Sequence, residues 1–177
     1  MKRVIVIGSG GAGKSTFSRR LSEIMGIEVV HLDKIYWLPN WNEPSKAEFE
    51  KILKIELEKR EWIMDGNFKS TLEMRLEKCD TLISFELPRT VCIYRALKRI
   101  FKYRGKTRPD MGEGCAEKID PEFLMWVWNF PKKDKLKIEK VLEKFDGKVK
   151  IIRLKSKSEV EEFLKIIQPQ KGAKCTK

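Results

Sequence analysis

One stretch decides most of what this chain can fold into: GSGGAGKST, residues 8–16, set between the β-branched run RVIVI and an amphipathic segment. Gly8, Gly13, Lys14 and Ser15 occupy the fixed positions of the pattern G-x-x-x-x-G-K-[ST]. A strand before it and a helix after it form the context in which that pattern holds phosphate. Glycines let the backbone wrap closely and turn its N–H groups inward at an anion. The helix that follows adds the positive end of its dipole. The loop Gly8, Gly10, Gly11, Ala12 and Gly13, with Lys14, Ser15 and Thr16, is therefore expected to cradle the phosphates of a nucleotide, ATP above all. Lys14 is placed to reach the terminal phosphates, and Ser15 to hold Mg²⁺.

The rest of the chain alternates strand and helix. Strands are expected at 3–7, 27–33, 61–66, 80–87 and 149–154, and helices at 14–25, from the Ser45–Glu48 capping box onward, 72–78 and from Pro88 to about 104. In the second of these helices the inward set reads Phe49, Ile52, Leu53 and Leu57; in the last it reads Ile93, Leu97, Ile100 and Phe101. Asp120-Pro121 opens two further helical segments broken at Pro131, and Ser158–Glu161 reads as the capping box of a terminal helix. Such alternation means a three-layer α/β fold: a five-stranded parallel sheet with helices on both faces. One domain over 1–168 and a fraying tail over 169–177 are expected, with a glycine-rich, mobile lid at about 104–119.

Ligands bind at the carboxyl ends of parallel strands, and three segments fall there: the glycine loop, Asp33 and Asp65. Asp65 ends the third strand and is the candidate metal-organising acid; Asp-Gly is also a common turn pair. Asp33 ends the second strand, where it would grip an acceptor hydroxyl, serve as base toward it, or cap the next turn. Tyr36, Trp37 and Trp41 follow, as pocket walls or as core plugs. Arg95 and Arg99 share a helical stripe, and Arg104 and Arg108 rim the lid. Phosphoryl transfer needs arginines over the transferring group with water excluded. A solvated basic face is the competing reading. His31, the only histidine, sits mid-strand, which favours a structural role.

Thirty-eight Lys and Arg against 26 Asp and Glu give a net charge of +12, which favours anionic partners. Nucleotides and sugar phosphates qualify, and so does nucleic acid. The four cysteines, Cys79, Cys92, Cys115 and Cys175, have neither zinc-site nor C-x-x-C spacing and read as reduced thiols. No apolar run reaches membrane-spanning length, so a cytoplasmic protein without a membrane partner is expected, as monomer or dimer. Late N-K-x-D and transporter-type signature motifs are missing from the sequence. Gly66 follows Asp65 where hydrolytic ATPases place Glu, so transfer to a bound acceptor is favoured over hydrolysis.

The segments GSGGAGKST, HLDKIYWLPNW, WIMDGNFKSTLEMRL, ELPRTVCIYRALKR and TRPDMGEG together resemble the bacterial topology modulation, or FlaR-like, proteins, over roughly residues 1–168. These are similar to adenylate kinase and other small phosphate-loop kinases. The resemblance implies a P-loop kinase fold and an ATP-dependent phosphotransferase with a small-molecule or nucleotide acceptor. It places the acceptor near Asp33, Tyr36, Trp37, Trp41 and Asn67, and the adenine near Arg153. Asn67-Phe68 stands where adenylate kinases carry Phe-Pro-Arg, a departure that speaks against AMP as acceptor. The family name implies the other reading: a nucleotide-dependent regulator acting on DNA topology, without kinase turnover.

Overall fold

A computed structural model describes residues 1–168. The expected tail at 169–177 lies outside the described residues. Five strands form one parallel sheet: β1 (Arg3–Gly8), β2 (Val29–His31), β3 (Trp62–Asp65), β4 (Thr81–Phe85) and β5 (Lys150–Leu154), in the order β2-β3-β1-β4-β5. Every pairing is parallel. Central β1 alternates its side chains between two cores, as strand geometry requires. Val4 and Val6 face one side, packing with Phe17 and Leu21 of α1 (Lys14–Met25), Cys92 of α5 (Arg89–Tyr103) and Leu164 of α7 (Lys157–Ile167). Ile5 and Ile7 face the other. There they meet Phe49, Leu53 and Leu57 of α3 (Lys46–Leu57), Leu72 and Leu76 of α4 (Leu72–Lys78), and Ile138 and Leu142 of α6 (Pro121–Glu143). The expected three layers are present.

Several local expectations are corrected. The second strand stops at His31, because Leu32–Tyr36 turns into a short helix, α2, with Asp33 in its first turn. In α3 the capping box of Ser45 and Glu48 forms in full, but Ile52 is exposed. In α5 the buried stripe is Cys92, Ala96 and Ile100, and Phe101 faces solvent. The cap of α7 is Ser156, which accepts from the Glu159 N–H, two residues before the expected box. Pro131 does not break α6, which runs unbroken for 23 residues. A proline there removes the bond to the carbonyl four residues back, that of Val127. The buried Ser9 hydroxyl donates to that carbonyl at 3.5 Å, so the glycine loop itself repairs the helix. Among the described residues no helix is long and apolar enough to cross a membrane.

The same loop is fastened from the other side. Asn67, one residue past the Asp65-Gly66 pair, accepts from the Gly8 N–H at 3.0 Å and donates to the Gly8 carbonyl at 2.9 Å. Its carboxamide extends the β1–β3 ladder beyond the last strand residue. Arg75 fixes the segment carrying Asn67. Fully buried, it donates to the carbonyls of Gly66, Asn67, Phe68 and Thr71. Burial pushes its guanidinium down to about 9, still cationic at neutral pH. This segment is strained: Phe68 has φ +26°, which an L-residue rarely adopts.

Replacing Asn67 by Ala leaves the Gly8 N–H unpaired, while the Gly8 carbonyl keeps its bond from Lys14. The expected loss of unfolding free energy is about 1–3 kcal/mol. Urea denaturation checks it, the midpoint falling and the slope holding constant.

Candidate phosphate and acceptor cleft

At the carboxyl end of the sheet lies a cleft of about 820 Å³, within the range of small-molecule sites. Its floor is the glycine loop. Gly11 and Gly13 have φ of +74° and +99°, so their conformation favours glycine. A side chain on Gly8 would meet Phe85 of β4, one on Gly10 would meet Phe123 and Val127 of α6, and one on Gly11 would meet the Cys92 carbonyl of α5. The loop is thus wedged among three elements. Gly10, Gly11, Gly13, Lys14, Ser15 and Thr16 line the cleft. Gly8 and buried Ala12 lie behind it as supports.

Lys14 starts α1 and donates to the Gly8 and Ser9 carbonyls at 2.9 and 3.0 Å. Burial lowers its pKa, and Asp33 and Asp65 oppose that shift. Asp33 also lines the cleft. Burial raises its pKa, with Lys14 pulling it down and Asp65 pushing it further up. A half-buried acid and a half-buried base therefore share the cleft with their pKa values drawn together.

Asp65 ends β3 opposite His31 of β2 in the parallel register. That register places His31 Nδ1 2.8 Å from Asp65 Oδ1. This gives the lone histidine its structural role and orients the carboxylate. Asp65 Oδ2 is buried without a hydrogen-bond partner. Asp65 does not itself line the cleft, but its charge reaches Lys14 and Asp33 there, and its orphaned oxygen fits a hard cation such as Mg²⁺, which takes one or two protein groups and fills its shell with water and phosphate oxygens. No group of three or more His, Cys, Asp or Glu residues able to hold a metal occurs among the described residues, as a cation shared with phosphate does not need one.

The aromatic candidates divide. Trp37 and Trp41 line the cleft, their rings 5.5 Å apart. Tyr36 does not: half-buried, it packs against the touching rings of Phe49 and Phe68 at the edge of the core. Asn67 borders the cleft, but both ends of its carboxamide are committed to Gly8. Phe123 and Trp126 of α6 add a further wall.

The arginines divide too. Arg95 lines the cleft and donates to the Ala12 carbonyl at 3.3 Å. Arg99 lines it from α5, and Arg108 lines it from the lid. Arg104 is exposed and outside the cleft, because it leaves α5 where the chain turns away. Arg153 is outside as well, held on β5 by Glu86 and Glu139. The structure therefore does not bring Arg104 or Arg153 to the site.

The lid is packed rather than loose. Met111 and Cys115 are buried, and the segment is bound to the aromatic loop. Trp41 Nε1 donates to the Ala116 carbonyl at 3.0 Å, the Asn40 N–H to the Gly114 carbonyl, and the Cys115 thiol to the Leu38 carbonyl. Asn40 and Trp41 both adopt positive φ to make these contacts. At the centre of the lid, Glu117 meets Arg99 Nη2 at 3.2 Å and Arg108 Nε at 2.9 Å, and Asp110 lies 3.5 Å from Arg108. Sequence reading missed Glu117 and Asp110, which stand in a segment with no periodicity to single them out. Arg75 lay within the quoted DGNFKSTLEMRL motif but carried no signal of its own.

No protein-family model matches the chain, and no curated protein does. Solved structures do. A shikimate kinase from Acinetobacter baumannii in complex with shikimate is similar at a TM-score of 0.59 and 13% identity, over 94% of this chain and 90% of that one. A gluconokinase from Sinorhizobium meliloti 1021 is similar at 0.52 and 16% identity, over 94% and 89%. A deoxyadenosine kinase from M. mycoides with bound dATP is similar at 0.52 and 15%, over 96% and 100%. The narrower likeness to topology modulation proteins rests on the sequence motifs alone. In architecture the chain is an α/β protein with a five-stranded all-parallel sheet, the fold of P-loop kinases.

Proposed function

We propose that this protein is a kinase that transfers the terminal phosphoryl group of ATP to a hydroxyl of a small-molecule or nucleotide acceptor. The observation that carries the reading is one cleft holding four things together: the glycine cradle with Lys14, the arginines 95, 99 and 108, the carboxylate Asp33, and the Trp37–Trp41 wall. The kinase folds of the similar structures support it. The regulator alternative draws no such support, because Arg95, Arg99 and Arg108 face the cleft and not an outer surface.

In this reading the triphosphate lies on the backbone N–H groups of the loop, at the start of α1. Ser15 and Asp65 would hold Mg²⁺, which supplies neutralisation of charge on the β- and γ-phosphates when bound. The acceptor sits between Asp33 and the two tryptophans. Its hydroxyl oxygen bonds to the γ-phosphorus as the bond from that phosphorus to the bridging oxygen breaks, and ADP leaves. Asp33 takes the hydroxyl proton. Its raised pKa suits a base working near neutrality better than an ordinary aspartate does. Lys14, Arg99 and Arg108 balance the charge that moves onto the leaving oxygen.

Turnover is expected to depend on Lys14. ADP release from MgATP, screened over sugars, nucleosides, nucleoside monophosphates and hydroxylated acids, should be stimulated by one class in the wild type. Lys14→Ala should lower that turnover by on the order of 100-fold or more and leave the circular dichroism unchanged. Stimulation of both proteins alike, or of neither, would remove the kinase reading.

The pH profile of kcat/KM should be bell-shaped. Asp33 must be ionised, so activity falls as pH drops through its pKa, at a pH above the ordinary carboxylate range because burial raises that value. Lys14 must be charged, so activity falls again as pH rises through a pKa that burial has lowered from the ordinary lysine value. Asp33→Asn should abolish the acidic limb in whatever activity remains; an unchanged limb would assign the proton elsewhere.

A further inference from the structure

The lid has a centre that the proposed chemistry does not use directly. Glu117 is buried, and its two carboxylate oxygens serve two arginines from two different elements: Oε1 accepts from Arg99 of α5, and Oε2 faces Arg108 of the lid. Its backbone does separate work. The Glu117 N–H donates to the Lys106 carbonyl at 3.0 Å, and its carbonyl accepts from the Gly105 N–H at 3.0 Å. The Thr107–Ala116 bridge lies beside these bonds. The two ends of the lid are thus joined at one residue, and that residue's side chain spans the arginine pair.

Two guanidinium groups brought together repel each other. Without Glu117, Arg108 would keep only the Asp110 carboxylate at 3.5 Å, and Arg99 would rest over the Phe123 ring, 5.1 Å from its guanidinium carbon. A carboxylate between them offsets the repulsion: it orients Arg99 through a hydrogen bond and holds Arg108 by charge, the Arg108 Nε and Glu117 Oε2 making no hydrogen bond of their own. All three side chains line the same cleft as Lys14 and the glycine loop.

We propose that Glu117 is a positioning residue that seats Arg99 and Arg108 as one unit for the terminal phosphate of the bound nucleotide. It does not touch the phosphate; it acts through the two arginines. The inference rests on the kinase reading above for the presence of a triphosphate. It adds that recognition of the third phosphate depends on a carboxylate, a group that by its own charge should repel it.

A role of this kind differs from a merely structural one in what it changes. Loss of general lid stability weakens every nucleotide alike. Loss of seating weakens only the nucleotide that has a third phosphate. The test is the ratio of dissociation constants for ADP and for the β,γ-imido analogue of ATP, each with Mg²⁺, by titration calorimetry. The wild type should bind the triphosphate analogue at least about tenfold more tightly than ADP, a difference of about 1.4 kcal/mol.

Glu117→Gln keeps the shape but turns an amide N–H₂ toward one arginine. The preference for the triphosphate should shrink to less than about twofold, with ADP affinity little changed. Arg108→Gln should lose the same preference, and the double variant should lose no more than either single one. Glu117→Asp, which keeps the charge, should recover part of it. Equal weakening of both nucleotides in Glu117→Gln, or a full additional loss in the double variant, would overturn the seating role. Lys14→Ala separates the two levels: if wild type and Lys14→Ala bind both nucleotides equally well or not at all, the kinase reading falls and this inference with it. Lys14-dependent binding with a ratio that Glu117→Gln does not move overturns the inference alone.

Discussion

Everything at the functional end of this molecule depends on a loop that has no room for side chains. Gly8 lies against β4, Gly10 against α6 and Gly11 against α5, so three elements close on bare backbone. That contact sets where α5 and α6 stand, and hence where Arg95, Arg99, Phe123 and Trp126 stand. The loop in turn is held by side chains that reach in from afar. Asn67 pairs with both polar groups of Gly8, Arg95 caps the Ala12 carbonyl and Ser9 turns outward to mend α6 at Pro131. Glycine spacing by itself suggests a flexible loop; this one is a fitted part.

The charge distribution follows from the same crowding. Lys14, Asp33, Arg99 and Arg108 line one cleft, with Asp65 beneath it at the end of β3. Burial shifts Lys14 down and Asp33 up, each away from its charged form. Neither would be stable alone at that depth, and each moderates the shift of the other. The carboxylate of Asp65 is steadied by His31 through one oxygen, which leaves the second free of protein partners. An interior arranged in this way is costly for stability and suited to moving charge, the trade that functional sites generally make.

How much of this was legible in the sequence depended on whether a signal was local. The sheet, its five strands and the helix starts at Lys14, Ser45 and Asp120 were readable, since β-branched runs, capping residues and glycine spacing act over a few residues. Asp33, Asp65, Lys14, Arg95 and Arg99 were readable as site candidates because strand ends and helical stripes fix their direction. Failures arose where a distant partner decided the outcome. Pro131 reads as a break until the Ser9 hydroxyl is in place. Tyr36 reads as either pocket wall or core plug until Phe49 and Phe68 are found packed against it. Arg104 and Arg108 look equivalent in sequence, yet only the second is turned inward by Glu117 and Asp110. Glycine and charge made residues 105–119 look mobile, whereas contacts to the aromatic loop bury Met111 and Cys115.

The joined neck of the lid bears on how such a protein could change over evolutionary time. Residues 105–107 and 116–117 are bonded to each other, so the chain between them is a closed loop whose ends stay fixed whatever its length. Lengthening a loop of that kind costs little: each doubling adds roughly 0.6 kcal/mol of closure entropy. A longer or different insert could therefore be grafted between Arg108 and Cys115 without disturbing the sheet. The restriction would come from the other side. Gly112 and Gly114 lie against the backbone of Trp37 and against Pro39, so a new insert would have to bring its own cover for the tryptophan wall. The segment 105–117 and the tryptophan wall are in this sense coupled, and a change in one would be expected to leave its mark on the other.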